Sequence, residues 1–451
     1  MSVSDSIGVP SAQSWVDGVR VHAWHGLRFA SVEARFAAPR PASGRLAASR
    51  LEEVPVFPQL PSKLAAAMGQ GRPNPQSEDA FFLNVWAPSD AEGLPVLLFI
   101  HGGAWMTGGA AMAWYDGARL ASQGLVVVNA SYRLGALGHL GDPEADGLPL
   151  PAADLLLALR WVEAHAQAFG GSPQRITLMG QSAGGWYAHL LSVLPQTRGL
   201  IHRLALLSMG TRAPWSARQQ IETTQRARQI VGASLQDAPV DALLKAAIAA
   251  LDREPLRLGH APSAFLPVAS AQVPQRLFDP VWAAQACHAG SVYLRCTADE
   301  TGAFLFNVPE QRHATQAQVD EALSLWALED LPPALLGHGA FAGAASGLSP
   351  YRQLLAASSW RQFQRFPTEY ADALRGAGRP VRLARFETES LQDGLHSGHC
   401  FDLPFQFGNR AAWEDAPMLA GFDADRFEAV SQPLRAEIAS FARDGCVETD
   451  R

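Results

Sequence analysis

The sequence predicts an α/β protein: a mostly parallel central sheet flanked by helices, with helical segments shaping a pocket. Three observations carry this. Short, continuously apolar runs recur along the chain, helical patterns lie between several of them, and no internal repeat or low-complexity linker divides the 451 residues. A strand covered on both faces has no polar side to present, so it reads as an unbroken apolar run. Strands that alternate with helices assemble into a mostly parallel sheet with helices on both sides. A single domain over 1–451 is expected.

Taken in order, the polar start MSVSDSIGVPSAQSW lacks the charged residues and apolar stretch of a signal peptide. Residues 54–76 are rich in Pro and Gly and predict a long surface loop. Strands are expected at 81–86, 96–100, 126–130, 176–179, 204–207, 292–294 and 381–386. Leu155, Leu159, Val162, Ala166 and Phe169 share one face at helical spacing, and Gly170-Gly171 supplies the stop. Residues 212–290 and 308–375 are mainly helical in pattern and are expected to lie over or beside the sheet.

Bulk properties narrow the function. A net charge of −7 without a basic run argues against nucleic acid or an anionic membrane as partner. The longest apolar runs, such as 96–100 and 155–159, fall far short of a bilayer span. Four cysteines (Cys287, Cys296, Cys400 and Cys446) make no disulfide framework, and a cytoplasmic location is expected. Two histidines and a cysteine lie close together at His396, His399 and Cys400, but no fourth ligand of comparable signature accompanies them, so neither metal nor organic cofactor is expected. Oligomeric state is left open.

The chemistry is carried by Gly180-Gln181-Ser182-Ala183-Gly184, the one G-x-S-x-G of the chain. It follows a short apolar run and precedes a helical pattern that Pro195 stops, which is the strand–turn–helix context a nucleophile elbow requires. So tight a turn admits no bulky neighbours, lifts the serine hydroxyl above the sheet, and aims the next backbone N–H at the reacting carbonyl. A second glycine-containing turn, His101-Gly102-Gly103-Ala104-Trp105, follows the run 96–100 and could present amides to an oxyanion. His101 itself reads as a structural hydrogen-bonding group. Either turn, alone, could merely pack a helix on a strand; their succession along the chain argues otherwise.

These residues resemble the type-B carboxylesterase family, and bacterial p-nitrobenzyl esterases within it. Ser77-Glu78-Asp79-Ala80-Phe81-Phe82-Leu83-Asn84-Val85 is similar to its SEDCLxLNV signature, and Ser131-Tyr132-Arg133-Leu134-Gly135 to its NYRLG. Ala158-Leu159-Arg160-Trp161-Val162 and Phe169-Gly170-Gly171-Ser172-Pro173 are similar to ALRWV and FGGDP, and Gln181-Ser182-Ala183-Gly184-Gly185 to ESAGG. The resemblance implies an α/β-hydrolase fold and a Ser182–His399–Glu300 triad, with His399 opening a segment, 399–408, that ends in P-x-x-F-G. It implies oxyanion donors at the amides of Gly103, Ala104 and Ala183, and a serine behind the triad at Ser208. It also implies ion pairs of Glu78 with Arg35 and of Arg133 with Asp154.

The chain departs from the family at Gln181 (usually Glu), Ala104 (usually Gly), Thr301 (usually Gly) and Ala80 (usually a disulfide-bonded Cys). The partner of that cysteine matches Phe57, so packing of Phe57 and Ala80 is expected to close the loop in place of a disulfide. Asp299 is expected to hold local backbone, and His396 to stand at a rim. Trp105, Trp186, Phe304 and Phe401 are candidates for lining an apolar pocket, with core packing as the alternative. The expected activity is hydrolysis of a small-molecule carboxylic ester through an acyl-enzyme. An amidase, lactonase or polymer esterase on the same machinery is the alternative, as is a non-catalytic adhesion or scaffold protein, which would typically lack triad residues.

Overall fold

A computed structural model describes residues 8–141, 147–251, 257–262, 264–332 and 347–446. Its strands in chain order are β1 (Ala12–Val16), β2 (Val19–Arg28), β3 (Ala30–Ser31), β4 (Arg40–Pro41), β5 (Phe82–Pro88), β6 (Leu94–Ile100), β7 (Val126–Ala130), β8 (Gly171–Gln181), β9 (Arg203–Leu207), β10 (Ser291–Thr297) and β11 (Val381–Phe386). Every apolar run read as a strand lies within or against one of β5 to β11. Nine of these strands form one sheet in the order β1-β2-β5-β7-β6-β8-β9-β10-β11, and β3 and β4 form a small separate ribbon. From β7 to β11 all pairings are parallel. The hairpin β1–β2 and strand β5 extend the sheet antiparallel. The structure is an α/β-hydrolase.

The parallel half is apolar because both of its faces are covered. Val96, Leu97, Leu98, Phe99 and Ile100 of β6 are all buried. Alternate residues feed two cores: Val96, Leu98 and Ile100 face one, Leu97 and Phe99 the other. The helices that cover them include α1 (Leu150–His165), α2 (Ala183–Val193) and, at the end of the chain, Ala424–Asp444. The predicted stop of α1 holds: a short 3-10 turn runs to Phe169, and Gly170 follows in the left-handed conformation at φ 74°. Segment 212–290 contributes helices Ala217–Val231, Val240–Ala250 and Pro280–Ala286, and segment 308–375 contributes Gln316–Ser324, Pro350–Ser359 and Arg365–Gly376. Residues 252–256, 263 and 333–346 of these segments lie outside the described residues. No described helix is long and apolar enough to cross a membrane.

Two ion pairs tie loops to this frame. Arg35 grips Glu78 bidentately at 2.6 and 2.8 Å. Arg133 does the same to the fully buried Asp154 at 2.7 and 2.9 Å. The stretch 54–76 differs from the surface loop expected, since Val54, Val56, Phe57, Ala67 and Met68 are buried. Phe57 packs edge-on against Phe81 at 5.0 Å, beside Ala80, and all three join one core. Polar groups complete the closure. Val56 exchanges backbone hydrogen bonds with the returning arm, donating to Pro75 (2.9 Å) and accepting from Ser77 (3.0 Å). The Asn74 amide reaches the carbonyls of Val54 and Ala111 at 3.1 and 3.0 Å.

Candidate active site

β8 ends at Gln181 and α2 begins at Ala183, which leaves Ser182 alone to turn the chain. It does so at φ 55°, ψ −121°, a conformation that a side chain rarely adopts. The turn closes only because its flanks are glycines. A Cβ on Gly180 would fall on the Gly184 carbonyl, and one on Gly184 on the Ile100 carbonyl. Strain at Ser182 is over-determined by its neighbours: its amide donates to Leu207 O (2.9 Å) and its carbonyl accepts from Trp186 (3.1 Å).

β6 lies between β7 and β8, and the chain leaves it first to one side and then to the other. Such a reversal opens a crevice at the carboxyl ends of the strands. The turn after β6 rises there beside Ser182. Ala104 and Trp105 both hold positive φ, 53° and 61°, next to Gly103 at 115°. Ala104 therefore adopts, at a cost of roughly 1 kcal/mol, a conformation a glycine would take freely. Among the described residues the amides of Gly103 and Ala104 have no hydrogen-bond acceptor. Ala183 is the first residue of α2, where an amide has no intrahelical acceptor.

His399 reaches this point from a loop after β11. Its Nε2 lies 2.9 Å from Ser182 Oγ, and its Nδ1 lies 2.5 Å from Glu300 Oε2. Glu300 is wholly buried, and its other oxygen accepts the Thr297 amide at 2.8 Å. Burial opposes charge on His399, but the Cys400 sulfur and the Glu300 carboxylate outweigh it, and its pKa stands well above the ordinary value. Asp299 turns away and accepts from the Ser397 amide (3.4 Å), with Arg352 at 3.5 Å. His396 lies 3.6 Å from Glu389 and has no contact with Ser182. Thr301 occupies ordinary helical backbone at φ −72°, so no glycine is needed, and its hydroxyl bonds Ser358 (2.6 Å) and Ser359 (3.1 Å).

The remaining groups are supporting ones. His101 stacks on Tyr132 at 4.5 Å and bonds the Gly102 carbonyl at 2.8 Å, and burial lowers its pKa to about 4, so it stays neutral. Ser208 is buried at φ 43°, its amide donating to Arg295 O at 2.6 Å. Gln181 sends its amide to Cys400 Sγ (3.2 Å), with His399 Nε2 at 3.4 Å. Below them Arg295 on β10 meets Asp402 at 2.7 Å, both sealed from solvent. Among the described residues no group of three or more His, Cys, Asp or Glu could hold a metal ion.

Two cavities, each of about 240 Å³, meet at Gly103 and Thr107 and share a wall of Gln59, Leu60, Pro61, Ser62 and Leu64. One is lined by Ala104, Leu244, Ile248, Phe265 and Phe304, and the other by Met68, Trp114, Gln181 and Cys400. Of the four aromatic candidates only Phe304 lines either of these cavities. Trp105, Trp186 and Phe401 are buried among core residues, the alternative that the sequence left open. Trp186 donates to Arg212 O (3.0 Å), Phe401 packs on Phe386, Phe405 and Phe422, and Trp105 joins the core under the sheet's other face. Proximity in sequence to a catalytic position does not decide which way a ring points; the covered faces of the sheet claimed these three.

Phe363 escaped the sequence reading. A π-helical turn, Trp360–Gln364, joins two helices and brings its ring to 4.8 Å from the His399 ring, with Phe304 at 5.3 Å on the imidazole as well. Such turns frequently mark functional sites, but nothing in the local sequence distinguishes this one from ordinary helix.

Comparison with known proteins agrees with this geometry. The model of the carboxylesterase family matches residues 8–323. The chain is 32% identical over 383 residues to phenmedipham hydrolase of Pseudarthrobacter oxydans, covering 82% of this chain and 75% of that protein. It is 29% identical to the para-nitrobenzyl esterase of Bacillus subtilis, covering 95% and 88%. The crystal structure of carboxylesterase EST55 from Geobacillus stearothermophilus superposes with a TM-score of 0.77 at 27% identity, covering 96% of this chain and 89% of that one.

Proposed function

Because this chain belongs to the carboxylesterase family, and is a carboxylic-ester hydrolase, we propose that it cleaves small-molecule esters through an acyl-enzyme on Ser182. The observation that carries this reading is the linear contact series Ser182 Oγ, His399 Nε2, His399 Nδ1, Glu300 Oε2, at 2.9 and 2.5 Å.

His399 takes the Ser182 proton as Oγ attacks the ester carbonyl. Negative charge moves to the carbonyl oxygen, to which the amides of Gly103, Ala104 and Ala183 donate hydrogen bonds; each such donor contributes on the order of 3 kcal/mol in the transition state. The imidazolium then protonates the departing alcohol. Water attacks the acyl carbon as His399 takes its proton, and return of that proton to Ser182 Oγ as the Oγ–acyl bond breaks releases the acid. Glu300 holds Nδ1–H, so that Nε2 remains the acceptor, and stabilises the charged ring. Ser208 supports this assembly from behind. The cavity under Leu244, Ile248 and Phe265, walls drawn in part from the helical segment 212–290, offers apolar surface for one arm of the substrate.

The retention of all three triad groups is what separates this reading from that of a non-catalytic scaffold. The four cysteines are free thiols, which suits the cytoplasmic location we propose. A panel of p-nitrophenyl esters of increasing acyl length, assayed on the native protein and on Ser182→Ala, tests the proposal. Release of nitrophenol that vanishes in Ser182→Ala supports it, and undiminished release by that variant defeats it.

A further inference from the structure

We propose that Gln59 is a positioning residue that fixes the turn carrying the Gly103 and Ala104 amides. The proposal rests on the reading that this turn serves Ser182 chemistry. The side-chain amide of Gln59 grips the backbone of Gly108 from both sides: Oε1 accepts the Gly108 N–H at 2.7 Å, and Nε2 donates to the Gly108 carbonyl at 2.7 Å. Paired in this way an amide reproduces the contact of a neighbouring strand, and it resists both shift and rotation of the backbone it holds.

Gly108 stands at the far end of the turn that matters. The carbonyl of Gly103 accepts from the amides of Met106 and Thr107, both at 3.0 Å, so the residues between Gly103 and Gly108 move as one tight loop. At Gly108 itself, φ is 109° and a Cβ would collide with His101, which leaves this backbone without a side chain of its own to anchor it. Gln59 supplies the anchor from outside. It is in turn held: its backbone N–H donates to Gln76 Oε1 at 3.0 Å, and side-chain Nε2 also donates to Phe57 O at 3.0 Å. The outgoing and returning arms of the 54–76 loop are thereby bolted to each other and to the oxyanion turn. Packing of Phe57 and the backbone bonds at Val56 bring the loop ends together, and the Val56 side chain abuts Gly109, but it is Gln59 that hydrogen-bonds Gly108 itself.

Gln59 also belongs to the wall shared by the two cavities beside Gly103. One side chain therefore sets both where the substrate lies and where the amides wait for its oxygen. Displacement of an oxyanion donor by a fraction of an ångström weakens the transition state more than the ground state.

Gln59→Met keeps the length of the side chain and removes both hydrogen bonds to Gly108, together with the one to Phe57 O. With p-nitrophenyl butyrate the variant is expected to lose about tenfold in kcat with KM changed less than threefold. Its affinity for an alkyl trifluoromethyl ketone, which forms an oxyanion on the nucleophile, falls in parallel. Affinity for the corresponding alkyl alcohol, which forms none, holds. A folded Gln59→Met with kcat and ketone affinity within twofold of the native protein overturns the proposal, as does a loss confined to KM. If Gln59→Met fails to fold, Gln76→Ala, which removes the acceptor of the Gln59 backbone N–H, should show a smaller change of the same pattern, and native behaviour there overturns the proposal. Ser182→Ala run in parallel separates the two readings: retained activity refutes the role of Ser182, whereas a dead Ser182→Ala beside a fully active Gln59→Met refutes that of Gln59 alone.

Discussion

Replacing Glu300 by glutamine exchanges one oxygen for an NH2 group and puts the donor pattern of the site in conflict with itself. In the native protein one carboxylate oxygen faces His399 Nδ1 at 2.5 Å and the other faces the Thr297 amide at 2.8 Å; both neighbours are donors. A glutamine has only one acceptor to offer. Turned with Oε1 toward His399, it sets its NH2 against the Thr297 N–H. Turned the other way, it donates to Nδ1, and the ring must then carry its proton on Nε2, where it cannot accept the proton of Ser182. The second arrangement keeps every hydrogen bond and is expected to prevail. The cost is loss of the base, about 10³ to 10⁴ in kcat/KM, or about 4 to 5.5 kcal/mol of transition-state stabilisation. The pH dependence must move too. Activity needs neutral His399, so it rises as pH climbs through the His399 pKa, which stands above its usual value. Without the carboxylate the imidazolium loses a stabilising charge, and the residual activity should rise at lower pH than in the native protein. Steady-state hydrolysis of p-nitrophenyl butyrate between pH 5 and 10 measures both. A Glu300→Gln variant that keeps more than a tenth of native activity, or whose acid limb stays in place, refutes this account of the acid.

Phenylmethylsulfonyl fluoride should add a single sulfonyl group to Ser182, seen by intact mass and peptide mapping; an adduct elsewhere, or none on an active sample, contradicts the elbow assignment. His399→Ala should lower turnover by about 10³-fold or more and His396→Ala by about tenfold at most, with the reverse order pointing to an error in the whole segment 399–408. Arg133→Met strands the buried Asp154 carboxylate and should destabilise by about 3–5 kcal/mol in urea unfolding; an unchanged midpoint would mean that the pair is dispensable.

What could be read from the sequence follows from what the environment demanded. The strands β5 to β11 were legible because burial on two faces leaves a run of residues such as Val96, Leu97 and Leu98 no alternative to being apolar. The hairpin β1–β2 was not, since most of β1 is exposed and sends no such signal. The Asp17-Gly18 turn, both residues at positive φ, is the cue that would have found it. Ser182 was legible because a strained turn tolerates few residue types, and His399 because the segment it opens, 399–408, resembles the family pattern. Arg295 was not: a charged side chain inside a strand is explained only by Asp402, more than a hundred positions away in sequence and 2.7 Å away in space. Gln59 and Phe363 were invisible for the same reason, one a polar residue in a proline-rich loop and the other an aromatic in a helix. Among the ring candidates, Trp186 and Phe401 show the converse, that nearness along the chain is no guide to which side of a sheet a residue serves.

The bond network around Thr301 bears on how freely this scaffold can be recombined. Its hydroxyl and amide are held by Ser358 and Ser359, at the end of helix Pro350–Ser359, and the π turn that follows delivers Phe363 to the imidazole. The acid-bearing turn and one flank of the base thus hang from the same helical segment. A chimera that imports into 350–364 a helix lacking the hydroxyls of Ser358 and Ser359 would leave Thr301 without these partners, and should lose turnover before it gains a new substrate. Val240–Ala250, which faces the apolar cavity through Leu244, Ala247 and Ile248, makes no hydrogen bond to Ser182, Glu300 or His399 among the described residues. Laboratory evolution toward other esters would therefore find its accessible mutations in that helix first.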